Sequence, residues 1–177
     1  ARELGRLLLE KEEVCFDTET TSLDIRSAEL IGISFSFEAG KAYYVPLPEE
    51  RDAAQPWLAA FEPFFESESV RKIGQNLKYD IGVLLNYGVE VRGPLFDTMI
   101  AHYLLQPDMR HKMDILAETY LNYTTITYES VVGKKGKMQK TLREVTLEAV
   151  TDYAAEDADI TLQLKEVFAP KLKETGV

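Results

Sequence analysis

The sequence has few of the side chains that bind soft metal ions. Its 177 residues include one cysteine, Cys15, and two histidines. An internal disulfide and a zinc site built from cysteines are therefore excluded. Long apolar runs are also missing, and the first residues lack the basic-then-apolar pattern of a signal peptide. We therefore expect no membrane partner and a cytoplasmic location.

Positive charge is the second shortage. The chain has 20 lysine and arginine residues against 30 aspartate and glutamate residues, which gives a net charge of −10. That balance argues against a protein that binds nucleic acid non-specifically by neutralising phosphates. The basic residues are distributed unevenly, however, and one cluster within ten positions contains Lys134, Lys135, Lys137, Lys140 and Arg143. Such a cluster could contact phosphates, although a charged run in a loop is more often simply solvated.

Length and composition indicate one globular domain. The chain is 45% apolar, which is enough for a substantial core at this size. It does not begin with methionine. We interpret residues 1–177 as a single domain, and a monomer, cut from a longer protein.

The hydrophobic pattern predicts an α/β fold. Alternating apolar residues predict an antiparallel meander of three strands, and two short strands follow between helical segments. This order predicts a mixed sheet, antiparallel and then parallel, with helices on both faces. The expected strands cover residues 14–20, 30–37, 42–46, 70–74 and 95–96, and the expected helices cover 56–65, 77–87, 97–104, 113–120 and 146–173. Within the first of these helices, Pro63 predicts a kink.

Two carboxylates stand at alternate positions at the end of the first predicted strand. Side chains two apart on a strand share a face, so Asp17 and Glu19 should lie roughly 6.5–7 Å apart at Cβ. Two anions that are buried this close together repel each other and lose hydration, and a divalent cation is the simplest compensation. The alternative is a solvated strand end with two unrelated acids.

Two further stretches supply acids. Asp80 falls in the first turn of a predicted helix, where the helix dipole favours an acid without any function, and Asn76 could simply cap that helix. Tyr153 and Asp157 are four residues apart on one helix face, a spacing that also suits a surface hydrogen bond. Together the four acids form a set of hard oxygen ligands that suits Mg²⁺ or Mn²⁺, in the pattern of two-metal phosphodiester hydrolysis.

Three motifs resemble a known family. They are FDTET at residues 16–20, GQNLKYD at 74–80 and YAAEDAD at 153–159, and the stretches FDTM at 96–99 and TITYE at 125–129 are similar to it as well. In this order they resemble the 3′–5′ proofreading exonuclease domain of bacterial DNA polymerase I, in the DEDDy branch of the ribonuclease-H-like exonucleases. The resemblance implies that catalysis depends on Asp17, Glu19, Asp80, Tyr153 and Asp157.

The same resemblance implies the cofactors and the substrate. Asp17, Glu19 and Asp157 would hold one divalent metal ion, Mg²⁺ or Mn²⁺, and Asp17 with Asp80 would hold a second. The substrate would be the 3′ end of single-stranded DNA, and the partner would be a polymerase region of the same parent chain. The residues that match DNA-contacting positions of the family are Thr20, Leu23, Gln75, Asn76 and Tyr79.

Two other functions fit the same residues. An RNA-trimming exonuclease of the ribonuclease D type would use the same metal site, because the chemistry neither requires nor excludes a 2′-hydroxyl. A catalytically silent nucleic-acid-binding domain is the second alternative, and the complete set of acids argues against it.

Overall fold

Five strands form one mixed sheet in the computed structural model, which describes residues 1–176. The strands are β1 (Glu13–Thr20), β2 (Leu30–Glu38), β3 (Lys41–Pro46), β4 (Arg71–Gly74) and β5 (Leu95–Asp97). Their order across the sheet is β3-β2-β1-β4-β5. The strands β1, β2 and β3 pair antiparallel, whereas β4 is parallel to β1 and β5 is parallel to β4. The predicted meander followed by parallel strands is confirmed.

Helices cover both faces of this sheet. They are α1 (Arg2–Leu9), α2 (Arg51–Leu58), α3 (Glu62–Phe65), α4 (Leu77–Asn86), α5 (Thr98–Leu105), α6 (Met113–Leu116), α7 (Tyr128–Val132) and α8 (Leu147–Thr175). A π-helical segment, Ala117–Leu121, continues α6, and a short 3₁₀ helix, Leu142–Glu144, precedes α8. Among residues 1–176, none of the helices combines the length and the apolar character that crossing a lipid bilayer requires.

The alternation of β1 assigns its side chains to two different layers. Val14 and Phe16 point into the larger core, where the Phe16 ring meets Phe65 edge to face at 5.1 Å between centroids. Cys15 faces the opposite layer and packs against Leu162 of α8. Because side chains two apart share a face, Asp17 and Glu19 follow Cys15 toward α8. The long helix and the acid pair therefore lie on the same side of the sheet.

The predicted kinked helix over residues 56–65 is two separate helices. The first, α2, begins earlier than predicted, at Arg51, and contains Pro56 near its end. The second, α3, has Pro63 in its first turn. Proline is tolerated there because the first backbone N–H groups of a helix have no partner inside it. Pro63 therefore belongs to the start of a new helix and does not bend an existing one.

Candidate active site

Three of the predicted acids meet between β1 and α8. One carboxylate oxygen each from Asp17, Glu19 and Asp157 lies within 4.8 Å of the others. Glu19 and Asp157 are buried, and Asp17 is partly buried. Residues distant in the sequence thus form one cluster of hard oxygen ligands.

The strand pairing leaves room for a tyrosine ring beside this cluster. Gly32 of β2 lies opposite Glu19 in the register of β1 and β2. A Cβ at Gly32 would overlap the ring and hydroxyl of Tyr44 from β3. The missing side chain therefore allows the Tyr44 ring to lie across the sheet beside the strand that carries Glu19.

Asp80 lies beside this cluster and is bound by Thr18, the residue of β1 between Asp17 and Glu19. Its Oδ1 accepts hydrogen bonds from the backbone N–H and the hydroxyl of Thr18, at 3.1 and 2.6 Å. The side chain is 3% exposed, so Asp80 is not a solvated acid whose only role is to interact with the helix dipole. Thr18 was not among the predicted site residues, because nothing local in the sequence indicates that it would reach α4.

Burial raises the pKa of every acid in the site. For Glu19 the pKa rises to about 8, mainly from burial and then from the charges of Asp157 and Asp80. For Asp80 it rises to about 7, again from burial, although the hydrogen bonds from Thr18 oppose the shift. Burial and the charge of Glu156 raise the pKa of Asp157 to about 7.

Asp17 shows the same effect. Its pKa is well above the ordinary value because of burial and the neighbouring charges of Asp80, Glu19 and Asp157. The protein has thus concentrated carboxylates where ionisation is unfavourable unless positive charge is supplied.

Two carboxylate oxygens in this site have no hydrogen-bond partner within the described part of the chain. They are Oε1 of Glu19 and Oδ1 of Asp157, and both are buried. A buried polar atom without a partner is costly and uncommon in native proteins, and a bound ion or water is one ordinary explanation for it. The donor set contains carboxylate oxygens without thiolate or imidazole, which fits a hard divalent cation such as Mg²⁺.

Tyr153 lies one helical turn before Asp157 and lines the same pocket. Burial raises the pKa of its hydroxyl far above the usual value, and the charges of Asp157, Glu19 and Asp17 add to the shift. The hydroxyl therefore keeps its proton and can donate a hydrogen bond into the pocket.

The acids open into a pocket of about 600 Å³. Four of the residues predicted to contact DNA line it, namely Thr20, Leu23, Gln75 and Tyr79. The Leu23 side chain is 94% exposed, so it is not packed in the core. The fifth, Asn76, is exposed outside the pocket lining, in the turn that precedes α4.

The wall of the pocket contains residues that sequence reasoning did not select. Tyr128 and Leu142 line it from the segment before α8. The only signal for Tyr128 was its place in the TITYE stretch, and Leu142 had none. The Tyr79 hydroxyl bonds the Thr20 hydroxyl and the carbonyl of Ser22, and these contacts fix the Tyr79 ring along the pocket wall.

Two other acids of the third motif, Glu156 and Asp159, make hydrogen bonds to distant segments of the chain. Glu156 accepts hydrogen bonds of 2.6 Å from the hydroxyl of Tyr123 and from the N–H of Ile126. Asp159 accepts a 2.7 Å bond from the N–H of Gly40 in the β2–β3 turn. Both tie other segments of the chain to α8 and leave Asp157 as the acid of that helix in the cluster.

Comparison with known proteins gives consistent matches. A family model described as a 3′–5′ exonuclease matches residues 1–173. DNA polymerase I of Pseudomonas aeruginosa is 43% identical over 94% of this chain. The chain spans only 19% of the length of that relative.

Solved structures share the fold. Escherichia coli RNase D, an exoribonuclease involved in structured RNA processing, matches 99% of this chain and 43% of its own, with a TM-score of 0.77 and 20% identity. NrnC of Brucella melitensis with bound Mg²⁺ matches 94% of this chain and 76% of its own, with a TM-score of 0.75 and 23% identity. These identities support the ribonuclease-H-like fold alone. The family match and the polymerase relative together show that the chain belongs to the 3′–5′ exonuclease family of DNA polymerase I.

Proposed function

We propose that this exonuclease removes nucleotides from the 3′ end of single-stranded or frayed DNA and releases 5′-nucleoside monophosphates. We further propose that residues 1–177 form one proofreading domain, monomeric by itself, within a longer cytoplasmic polymerase. The observation that carries the proposal is the pair of unpartnered buried oxygens, Glu19 Oε1 and Asp157 Oδ1, beside Asp17.

The acids would hold two divalent metal ions. Asp17, Glu19 and Asp157 would bind one ion, and Asp17 and Asp80 would contribute to a second. The chemistry that such ions supply when bound is positive charge beside the reacting phosphate and the departing 3′-oxygen. Mg²⁺ or Mn²⁺ would serve, because both prefer carboxylate oxygens.

The remaining groups would place the attacking water. Tyr153 keeps its proton, so it is a hydrogen-bond donor and not the base. Its hydroxyl and the Glu19 carboxylate would orient the water in line with the scissile bond. Cys15 lies in the apolar layer of the sheet, and Thr18 is hydrogen-bonded to Asp80. Neither side chain is therefore a free nucleophile, which agrees with direct hydrolysis by water.

The pocket wall suits an unpaired strand end. Leu23 is exposed and could wedge against a base, and the Tyr79 and Tyr128 rings offer surfaces on which bases stack. A base–aromatic contact is worth about 1–3 kcal/mol where it forms. Upstream phosphates would pass the loop at residues 134–140, whose lysines are all exposed. None of the ion pairs among residues 1–176 involves these lysines.

A 3′-mismatched DNA primer and an RNA strand of the same sequence provide the test. We expect the chain to shorten the DNA from its 3′ end in Mg²⁺ or Mn²⁺ but not in EDTA, with 5′-monophosphates as the product. Asp157→Asn, which keeps the shape of the side chain but removes its charge, is the matched inactive control. Release of 3′-monophosphates, or an Asp157→Asn protein of parental activity, would contradict the proposed mechanism.

The RNA arm addresses the second candidate, an RNA-trimming exonuclease. The match in fold to RNase D favours it, whereas the 43% identity to a DNA polymerase favours DNA. Faster degradation of the RNA strand than of the DNA strand would select the RNA-trimming function.

A further inference from the structure

The carboxylate of Asp97 caps two helices at once. Its Oδ1 accepts from the backbone N–H of Met99 at 2.9 Å and so caps the start of α5. The same atom accepts from the N–H of Asn76 at 3.0 Å, and Oδ2 accepts from the N–H of Leu77 at 2.8 Å. Asp97 therefore also holds the start of α4, although it does not line the active-site pocket.

The turn that Asp97 holds is strained. Asn76 has a φ of 63°, in the left-handed region that residues other than glycine rarely adopt. Its own side chain makes no capping hydrogen bond to α4. The turn joins β4 to α4 and sets the position of Gln75 on one side and of Tyr79 and Asp80 on the other. A strained turn persists when surrounding contacts hold it, and Asp97 supplies them.

Thr98 and His111 fix the amide of Gln75. The buried Thr98 hydroxyl contacts Gln75 Oε1 and also lies 3.2 Å from the carbonyl of Gly74. Gln75 Nε2 donates a 2.7 Å hydrogen bond to the carbonyl of His111. A carbonyl only accepts, so the amide nitrogen must face His111 and the amide oxygen must face Thr98.

His111 is itself anchored. Its ring nitrogen Nδ1 lies 2.6 Å from Nδ1 of the buried His102, whose Nε2 lies 3.1 Å from the Tyr120 hydroxyl. The sequence analysis assigned neither histidine a role. These contacts hold His111 against the buried His102 of α5, so the carbonyl that accepts the hydrogen bond from Gln75 is rigidly positioned.

We propose that Asp97 and Thr98 are positioning residues of the exonuclease, and that they make Gln75 present an N–H donor to the substrate strand. The amide has two N–H groups, and His111 accepts from one. The second is available to an acceptor of the strand, such as a phosphate oxygen or a base carbonyl. The inference deepens the proposed function and rests on it. It also gives a role to the FDTM stretch at residues 96–99, to which the chemistry of the acids assigns none.

Steady-state kinetics on a single-stranded DNA oligonucleotide provide the test. Thr98→Val removes the hydroxyl at nearly constant volume, and we expect KM to rise about five-fold with kcat close to parental, since one binding hydrogen bond is misaligned. In a Gln75→Ala background the same change should have no further effect, because no amide remains to be oriented. Thr98→Ser, which keeps the hydroxyl, should restore the parental KM.

Two other variants separate positioning from simple stability. Thr151→Val deletes a hydroxyl–carbonyl hydrogen bond on α8 outside the pocket, and we expect it to leave KM unchanged. Asp97→Asn should raise KM as well as lower Tm. A lower Tm with a parental KM would reduce Asp97 to a structural cap and overturn its part of the proposal. If Asp97→Asn does not fold, the Thr98 variants still decide.

The outcomes distinguish this inference from the proposed function. A parent protein that does not degrade the oligonucleotide would refute the function itself. An active parent whose Thr98→Val variant keeps the parental KM would overturn only the positioning role. Equal, additive effects of Thr98→Val with and without Gln75 would overturn it too, because the hydroxyl would then act through another group.

Discussion

In the absence of divalent metal, the domain should become less stable as the pH rises from about 5 to 8. Three buried carboxylates of the site, those of Glu19, Asp80 and Asp157, have folded-state pKa values near 7 to 8, whereas carboxylates of the unfolded chain have values near 4. Between these values the folded state binds more protons than the unfolded state. Stability therefore falls with increasing pH in this window. The contribution of these groups to stability is largest below their unfolded-state pKa values.

The size of the effect can be worked out for one residue. Burial and the charge of Glu156 raise the pKa of Asp157 to about 7 from 3.8. One pKa unit corresponds to about 1.4 kcal/mol, so this side chain alone should remove on the order of 4 kcal/mol between pH 4 and pH 8. Domains of this kind have total stabilities of about 5–15 kcal/mol, and the loss is therefore easily measured.

Urea unfolding followed by circular dichroism, in EDTA and at several pH values, is a suitable assay. The parent should be compared with Asp157→Asn, because contributions that both proteins share cancel in the difference. Among these is His102, whose lowered pKa gives a slope of opposite sign. The variant should be more stable than the parent at pH 8 and should show a shallower pH dependence. The flattening should be amplified because the charge of Asp157 also raises the pKa of Glu19.

Adding Mg²⁺ provides the second half of the experiment. A cation bound only to the folded state adds about 2.7 kcal/mol at a concentration 100 times its Kd, and the gain should be much smaller in Asp157→Asn. A parent whose stability in EDTA stays constant or rises from pH 5 to pH 8 would refute the electrostatic reasoning. Equal slopes for parent and variant would refute the assignment of the slope to Asp157.

Three further results are expected. Asp17→Ala should lower kcat by roughly 10³-fold or more, because it removes a ligand of the metal site, whereas Tyr153→Phe removes one hydrogen bond to a charged group and should lower kcat only about 10- to 100-fold. Rapid-quench assays of primer shortening would measure both effects, and a fully active Asp17→Ala protein would exclude Asp17 as a catalytic residue. Changing the four lysines of residues 134–140 to glutamine should make the plot of log binding constant against log salt concentration less steep, by about 0.7 for each lysine that contacts a phosphate of the single strand. Lys171→Gln is the control, and an unchanged slope would show that this loop does not contact the substrate. Gly32→Ala should destabilise the fold by about 1–3 kcal/mol in urea unfolding, since its Cβ would displace the Tyr44 ring, and a parental stability would show that the ring moves freely.

The sequence predicted those parts of the site that depend on local spacing. Asp17 and Glu19 share a face because β1 is a strand, and Tyr153 and Asp157 share one because α8 is a helix. The antiparallel meander also followed from local alternation and a short turn. These features can be predicted without knowledge of distant residues. The order of the three motifs along the chain then identified the family.

The features that the sequence did not predict are contacts between distant residues. Thr18 reaches Asp80 across 62 positions, and Asp159 reaches Gly40 across 119. Whether an acid such as Glu156 is solvated or paired depends on which loop lies over its helix. Residue spacing along α8 does not carry that information. The double cap of Asp97 was missed for the same reason, since only the helix that follows it in sequence is visible locally.

The placement of the site on regular elements follows from the cost of its charges. Several carboxylates with raised pKa values oppose folding near neutral pH when metal is absent, so the surrounding structure must tolerate that cost without rearranging. The acids lie on β1, at the centre of the sheet, and on α4 and α8, and beneath β1 the rings of Phe16, Phe35 and Phe65 pack in the larger core. A flexible loop would relieve the repulsion by moving its acids apart. Rigid elements cannot, so the oxygens remain close together, and above their raised pKa values a bound cation is needed to balance their charge.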